Sequence, residues 1–170
     1  MAIVSATPND FHLLAAIGKE SFIESHGSSG PAADIERYAN SKYNAEICRE
    51  ELNDPANIYH FIYHNDQPAG YSKIIFNVPH QHPDLENTTK LERLYLLKKF
   101  YALKLGLELL HFNIALSKQN NQAGMWLYVW KENKRAVDFY LRSQFKITGS
   151  YDFKLTENHS NPNHRMLLNY

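Results

Sequence analysis

The sequence predicts an α/β fold: one domain with a mixed, mostly antiparallel sheet and helices on both of its faces. Three observations predict it. Segments with apolar period two alternate with segments of period 3.6 along the chain. The stretch "LERLYLLKKFYALKLGLELL" (91–110) passes from the first period to the second across a short turn. The 170 residues contain no internal repeat and no linker long enough to separate domains, a length that suits one core.

The elements follow in order. "AIVSAT" reads as a short strand. "PNDFHLLAAIGKESFIESHG" reads as a helix, with Pro8 in its first turn and Leu13, Ile17 and Phe22 marking its apolar stripe. "DIERYANSKYNAEICREELNDP" is a second helical region with a break near Ser41. "NIYHFIYHND" and "QPAGYSKIIFNVP" are rich in β-branched and aromatic residues and flank the turn-forming "NDQPAG", so they predict a hairpin. "HQHPDLENTT" is polar and proline-marked, hence a loop. The strand and helix of 91–110 come next, then the strand "GMWLYVW", the short helix "NKRAVDFYLRSQ", and two closing strands, "FKITGSYDFKLTE" and "HRMLLNY", around the loop "NHSNPN".

Composition excludes several classes. Lysine plus arginine and aspartate plus glutamate balance at 18 each, so no electrostatic grip on nucleic acid is expected. The single cysteine, Cys48, allows neither an internal disulfide nor a cysteine-rich metal site. No run of about 20 apolar residues suggests a membrane span, and the first ten residues do not read as a signal peptide. A soluble cytoplasmic protein is expected. The nine histidines include two clusters, His80 with His82 and His159 with His164, which read as loop residues without metal-ligand spacing, so no metal is expected. His111 reads as solvent-facing.

In "LERLYLL", Leu91, Tyr95 and Leu97 fall on one side of the alternation and Leu94 and Leu96 on the other, the pattern of a strand covered on both faces. From Leu105 the period is helical, with Leu105, Leu109, Phe112 and Leu116 in one stripe. The free N–H groups of that helix's first turn would point past the strand end and suit an anion such as phosphate. A plain connection whose N–H groups meet water explains the turn equally well.

Downstream, "GMWLYVWKENKRAVDFYLRSQF" gives a strand, a polar turn with Asn133, a helix ending in "FY", and Phe145. Together with "ERLYLL" and "GSYDF" it resembles the GNAT (N-acetyltransferase) superfamily, which binds acetyl-CoA. Within it the likeness is to the PaiA-type branch, which resembles polyamine acetyltransferases. It is strong over 89–170 and architectural before that. It implies a sheet splayed between the strands at 91–97 and 124–130, with acetyl-CoA as co-substrate.

The family turn Gln/Arg-x-x-Gly-x-Gly/Ala is here Tyr101, Ala102, Leu103, Lys104, Leu105 and Gly106, followed by Leu107. Only the last glycine survives. Backbone N–H groups of these residues would hold the pyrophosphate, and Lys104, in place of a glycine, would either pair with it or crowd it. Gln144 stands where the family helix ends in glycine, and a left-handed Gln144 would cost about 1 kcal/mol.

The resemblance assigns further roles. The backbone of Leu94, Tyr95 and Leu96 would bind the pantetheine arm and acetyl carbonyl, with Leu96 nearest the carbonyl. Asn133 would bond the pantetheine arm, although asparagine there also serves as a helix cap. Tyr140 falls on the general-acid position, and a phenol is protonated at neutral pH; as a helix aromatic it also suits the core. Glu92 is the candidate base, acting through a water, its pKa raised if its flanks are apolar; a salt bridge to Arg93 or a lysine is the alternative. Lys134 and Arg135 read as a solvated face within reach of a CoA phosphate. The expected activity is N-acetylation of a small, polyamine-like amine by direct attack in a ternary complex, with aromatic residues lining the acceptor's path. Rival readings are acetylation of a peptide or protein α-amine and a non-catalytic CoA-binding regulatory domain. A covalent relay through Cys48 is not expected, and exposed strands near the C-terminus suit a homodimer.

Overall fold

The computed structural model describes residues 1–80 and 85–170, so Gln81 and His82 of the expected loop lie outside the described residues. The described residues form two compact units, Met1–Ile74 with Arg93–Asn113, and Ile75–Glu92 with Ile114–Tyr170. Hydrogen bonding orders the strands β1-β2-β3-β4-β5-β7-β6, with the ranges given below, in a mixed and mostly antiparallel sheet.

In the first unit, β1 (Ala2–Ser5) pairs antiparallel with β2 (Ile58–His64), which pairs antiparallel with β3 (Gln67–Ile75). Asn65 and Asp66 make the hairpin turn, both at positive φ (47° and 59°), the conformation that a two-residue turn between twisted strands needs. The turn is tighter than "NDQPAG" suggests, because Gln67 already pairs with His64. Pro8 opens a 3-10 turn (Pro8–Asp10), where the Thr7 N–H donates to Asp10 Oδ2 at 2.7 Å; α1 (Phe11–His26) continues from it. The second helical region is two helices, α2 (Ala32–Lys42) and α3 (Ala45–Asn53). The break falls at Tyr43 and Asn44, where Asn44 caps α3 by accepting the Ile47 N–H at 3.0 Å.

The alternation of β3 puts helices on both faces of this unit. Tyr71 and Lys73 face α2 and α3: the Tyr71 hydroxyl donates to the Tyr43 hydroxyl at 3.2 Å, and Lys73 Nζ meets Glu51 at 3.2 Å. Ser72 faces the other way and accepts a bond from Asn113 of α4 (Leu105–Gln119) at 2.9 Å. Helix α4 is rotated from its expected stripe. Leu105 and Leu109 are buried as expected, but Asn113 and Ser117 are fully buried, while Phe112 and Leu116 are only half-buried. Small polar residues take these places because each finds a partner inside, Asn113 at Ser72 and Ser117 at Thr89 Oγ1, 2.6 Å away.

Strand β4 (Thr88–Leu96) begins before Leu91, where polarity had suggested loop. Thr88 and Thr89 are fully buried because their hydroxyls are satisfied, Thr88 Oγ1 donating to the Val78 carbonyl at 2.7 Å.

In the second unit, the start of β4 runs parallel to β5 (Gly124–Trp130), with Thr88, Thr89 and Lys90 opposite Gly124, Met125 and Trp126. Helix α5 (Lys134–Arg142) follows, then β6 (Lys146–Thr156) and β7 (His159–Asn169), with β7 antiparallel to both β5 and β6. The expected loop "NHSNPN" is largely strand. Pro162 is tolerated because the β5 register ends at Trp130 opposite Asn163, so its missing N–H removes no ladder bond there, while its carbonyl accepts the Lys131 N–H at 2.9 Å. His159 and His164 therefore stand on a strand, and among the described residues no grouping of His, Cys, Asp or Glu could hold a metal ion. Also among the described residues, no helix is long and apolar enough to cross a membrane.

Candidate active site

In the first unit the candidate cofactor segment runs from the end of β4 into α4. The Leu97 N–H donates to the Ala69 carbonyl at 2.9 Å, which fastens this end of β4 to β3. Gly70 permits the approach, since a Cβ there would collide with the Tyr95 carbonyl and with Leu96. Strand alternation turns the Leu96 N–H to the opposite edge from that of Leu97.

The connection to α4 holds a 3-10 helix (Lys98–Leu103) that periodicity did not reveal. Its first N–H, on Lys98, donates to a Glu24 carboxylate oxygen at 2.7 Å, and Phe100 is buried beneath it. Tyr101, Ala102 and Leu103 lie in this 3-10 helix. Lys104 follows in the left-handed region (φ 58°, ψ 11°), at the position where the family pattern places glycine. Its carbonyl accepts the N–H groups of Leu107 (3.0 Å) and Glu108 (3.3 Å). The N–H groups of Leu105 and Gly106 precede these first helical bonds and stand at the helix mouth. Donors there, with the positive end of a 15-residue helix and the charge of Lys104, fit a pyrophosphate group.

Among the described residues, five Asn and Asp residues and two others, Lys104 and Gln144 (φ 70°), are left-handed, and these two have side chains poorly suited to it, a cost glycine would avoid. Lys104→Gly and Gln144→Gly should each raise unfolding free energy by about 0.5–1 kcal/mol in a denaturant titration. Acetyl-CoA binding should weaken for Lys104→Gly, because the charge is lost, and stay unchanged for Gln144→Gly.

Beside β4, His26 closes α1, stacked on Phe22 with ring centroids 4.7 Å apart and meeting Tyr95 edge-on at 6.0 Å. Burial holds its pKa down to about 4, against a smaller opposing pull from a hydrogen bond to the Phe22 backbone. The folded value lies below the unfolded value, so the stability it contributes is present above pH 6.5 and is lost as pH falls through 4. The loss should approach about 3 kcal/mol at the acid end. Tm measured from pH 7 to 4 should fall less steeply for His26→Gln than for the wild type.

In the second unit, Asn133 caps α5, its Oδ1 accepting the Ala136 N–H at 3.2 Å. Tyr140 is buried near the end of that helix, its ring edge-on to Phe139 (5.1 Å) and Phe145 (5.5 Å). Burial raises its pKa above the usual phenol range, and the Arg135 charge partly opposes this. The phenol is therefore protonated at neutral pH. Lys134 is exposed and pairs with Glu132 at 3.7 Å. Glu92 pairs with Lys90 at 3.5 Å, and Lys90 also lies over the rings of Trp126 (5.5 Å) and Tyr128 (5.7 Å). The flanks of Glu92 thus include a cation and are not wholly apolar.

The expected site residues therefore divide. Leu94, Tyr95, Leu96 and 101–107 belong to the first unit, while Glu92, Asn133 and Tyr140 belong to the second. Cys48 is buried in α3, and burial pushes its thiol up to about 11, which removes thiolate at neutral pH.

A cluster that the sequence reading did not single out lies in the first unit. Arg93 forks onto Glu51, with Nη1 3.0 Å from Oε2 and Nη2 3.1 Å from Oε1, and Nη1 also donates to the Tyr59 hydroxyl at 2.8 Å. Tyr59 donates to Glu51 in turn, and Lys73 completes the group. Burial alone would raise the Glu51 carboxyl, but Arg93, Tyr59 and Lys73 together hold it below the usual range. The signal was present in "YSKII" and "LERLYLL", which set charged residues among strand-forming apolar ones.

The sequence profile of the acetyltransferase (GNAT) family matches residues 20–145. An uncharacterised N-acetyltransferase from Lactobacillus delbrueckii subsp. lactis is 26% identical over 138 residues, 81% of this chain and 80% of that protein. Among solved structures, the PaiA N-acetyltransferase of Thermoplasma acidophilum in complex with coenzyme A superposes with a TM-score of 0.78 at 19% identity, covering all of both chains. The ribosomal-protein-alanine N-acetyltransferase of Brucella melitensis gives 0.69 at 12%, also over all of both chains. The last two likenesses show the fold, and the profile match over most of the length shows the family: this chain belongs to the GNAT family of acetyltransferases and is an N-acetyltransferase with acetyl-CoA as its co-substrate.

Proposed function

We propose that the chain acetylates the amine of a small, polyamine-like molecule by direct attack in a ternary complex. The observation that carries the reading is the helix mouth at Leu105 and Gly106, with Lys104 beside it, at the end of a strand whose Leu96 N–H turns away from the edge bonded to β3. Acetyl-CoA supplies the activated acyl group as a thioester. The N–H groups of Leu105 and Gly106, with Lys104, would hold its pyrophosphate, and Asn133 its pantetheine arm. The backbone of Leu94, Tyr95 and Leu96 would donate to the oxygen that gains charge, Leu96 nearest. Glu92 would take a proton from the attacking amine through a water, and Tyr140 would return one to the departing sulfur. The resemblance of "ERLYLL", "VWKENKRAVDFY" and "GSYDF" to the PaiA-type branch, which resembles polyamine acetyltransferases, supports the choice of a small amine. The likeness to a ribosomal-protein-alanine acetyltransferase supports a peptide α-amine as the second reading.

Calorimetric titration with acetyl-CoA, followed by a free-thiol assay with spermidine, tests this directly. Micromolar binding and thiol release are expected. Release with an N-terminal peptide and none with spermidine would transfer the assignment to the second reading. Binding without release for either amine would point to an acceptor of another class. In the same assay Glu92→Gln should flatten the acid limb of the pH–rate profile; an unaltered limb would remove Glu92 as the base.

A further inference from the structure

We infer that Arg93 is a positioning residue, acting through the Glu51 fork to fix the end of β4 and with it the backbone at 94–96. The inference rests on the reading that this backbone receives the thioester oxygen.

The cluster ties β4 to α3, to the α2–α3 break, and to β2 and β3. Glu51 comes from α3, Tyr43 from the α2–α3 break, Tyr59 from β2, and Tyr71 and Lys73 from β3. Arg93 is held by two parallel bonds to Glu51, a third to Tyr59, and the Tyr43 ring 5.3 Å from its guanidinium carbon. Two residues on, Tyr95 stacks on the fully buried Tyr71 at 5.9 Å. The segment 93–95 is thus anchored through both of its side chains on one face, with Leu94 between them.

Stability alone is a poor reason for such a group. Burying a charged pair such as Arg93 and Glu51 incurs a desolvation penalty, and well-packed apolar residues in the same places are often as stable or more so. What a rigid guanidinium fork supplies and an apolar contact does not is direction. The residues that follow are those whose backbone donors must meet a developing charge within a few tenths of an ångström.

Two variants separate position from stability. Arg93→Lys keeps the charge and loses the fork. The triple variant Glu51→Leu, Lys73→Met, Arg93→Met removes all three charges together. Amide hydrogen exchange at 94–96 should quicken about tenfold in both variants while β2 and the rest of β3 keep their protection. Turnover at saturating acetyl-CoA should fall about tenfold to a hundredfold, with a smaller change in KM and, in the triple variant, a Tm no lower than wild type. Unchanged exchange and turnover in a folded triple variant would overturn the inference and leave the cluster as packing alone. If the triple variant does not fold, Arg93→Lys decides by the same two readings. Should the wild type release no thiol with any amine, the acetyl-transfer reading fails by itself, and the exchange measurement still decides whether Arg93 holds the strand.

Discussion

Tyr140→Phe is expected to lower turnover by about a hundredfold or more while KM for acetyl-CoA changes little. The substitution removes one oxygen and keeps the ring, so its contacts with Phe139 and Phe145 persist and Tm should move little. That combination separates a chemical role from a packing role. Burial sets this phenol's proton affinity high, which favours a protonated ground state, and Arg135 counters it. Arg135→Ala should therefore act in the same direction as Tyr140→Phe and more weakly, because a less acidic phenol is a poorer proton donor. Steady-state kinetics with a free-thiol readout checks both. A Tyr140→Phe variant with full turnover would show that the sulfur leaves without a proton from this residue.

Much of the framework was legible because it depends on local chemistry. Period two and period 3.6 are direct consequences of strand and helix geometry. β5 is found at the bounds of "GMWLYVW", and Asn65 and Asp66 adopt the left-handed turn that their residue types favour. Polar residues with hidden partners were not legible. Thr88 and Thr89 read as loop, and Asn113 and Ser117 are not in the apolar stripe expected of their helix, yet all four are buried because partners distant in sequence satisfy them. The 3-10 helix at Lys98–Leu103 is too short to leave a periodic signature. In the candidate site the connection between β4 and α4 and the place of Asn133 at the start of α5 could be read from residue order along the chain. The Glu51, Tyr59, Lys73 and Arg93 cluster could not, since it joins positions up to 42 residues apart through side-chain chemistry alone.

Charge arithmetic within that cluster predicts an asymmetry between its members. Arg93 and Lys73 both pair with the Glu51 carboxylate. Glu51→Ala takes the forked carboxylate from the buried Arg93 and one partner from Lys73, and should cost about 3–5 kcal/mol, or roughly 10 °C in Tm for a chain of this size. Arg93→Ala leaves the Glu51–Lys73 pair at 3.2 Å intact and should cost distinctly less. Acid should weaken the wild type as well. The folded Glu51 pKa lies below its unfolded value, so its stabilisation is present above about pH 4.5 and is lost as pH falls through the folded value. Thermal melts of the wild type and both variants between pH 4 and 9 would measure all of this. Equal losses for Glu51→Ala and Arg93→Ala would mean that Lys73 does not neutralise Glu51, and that the cluster is in effect a single Arg–Glu pair.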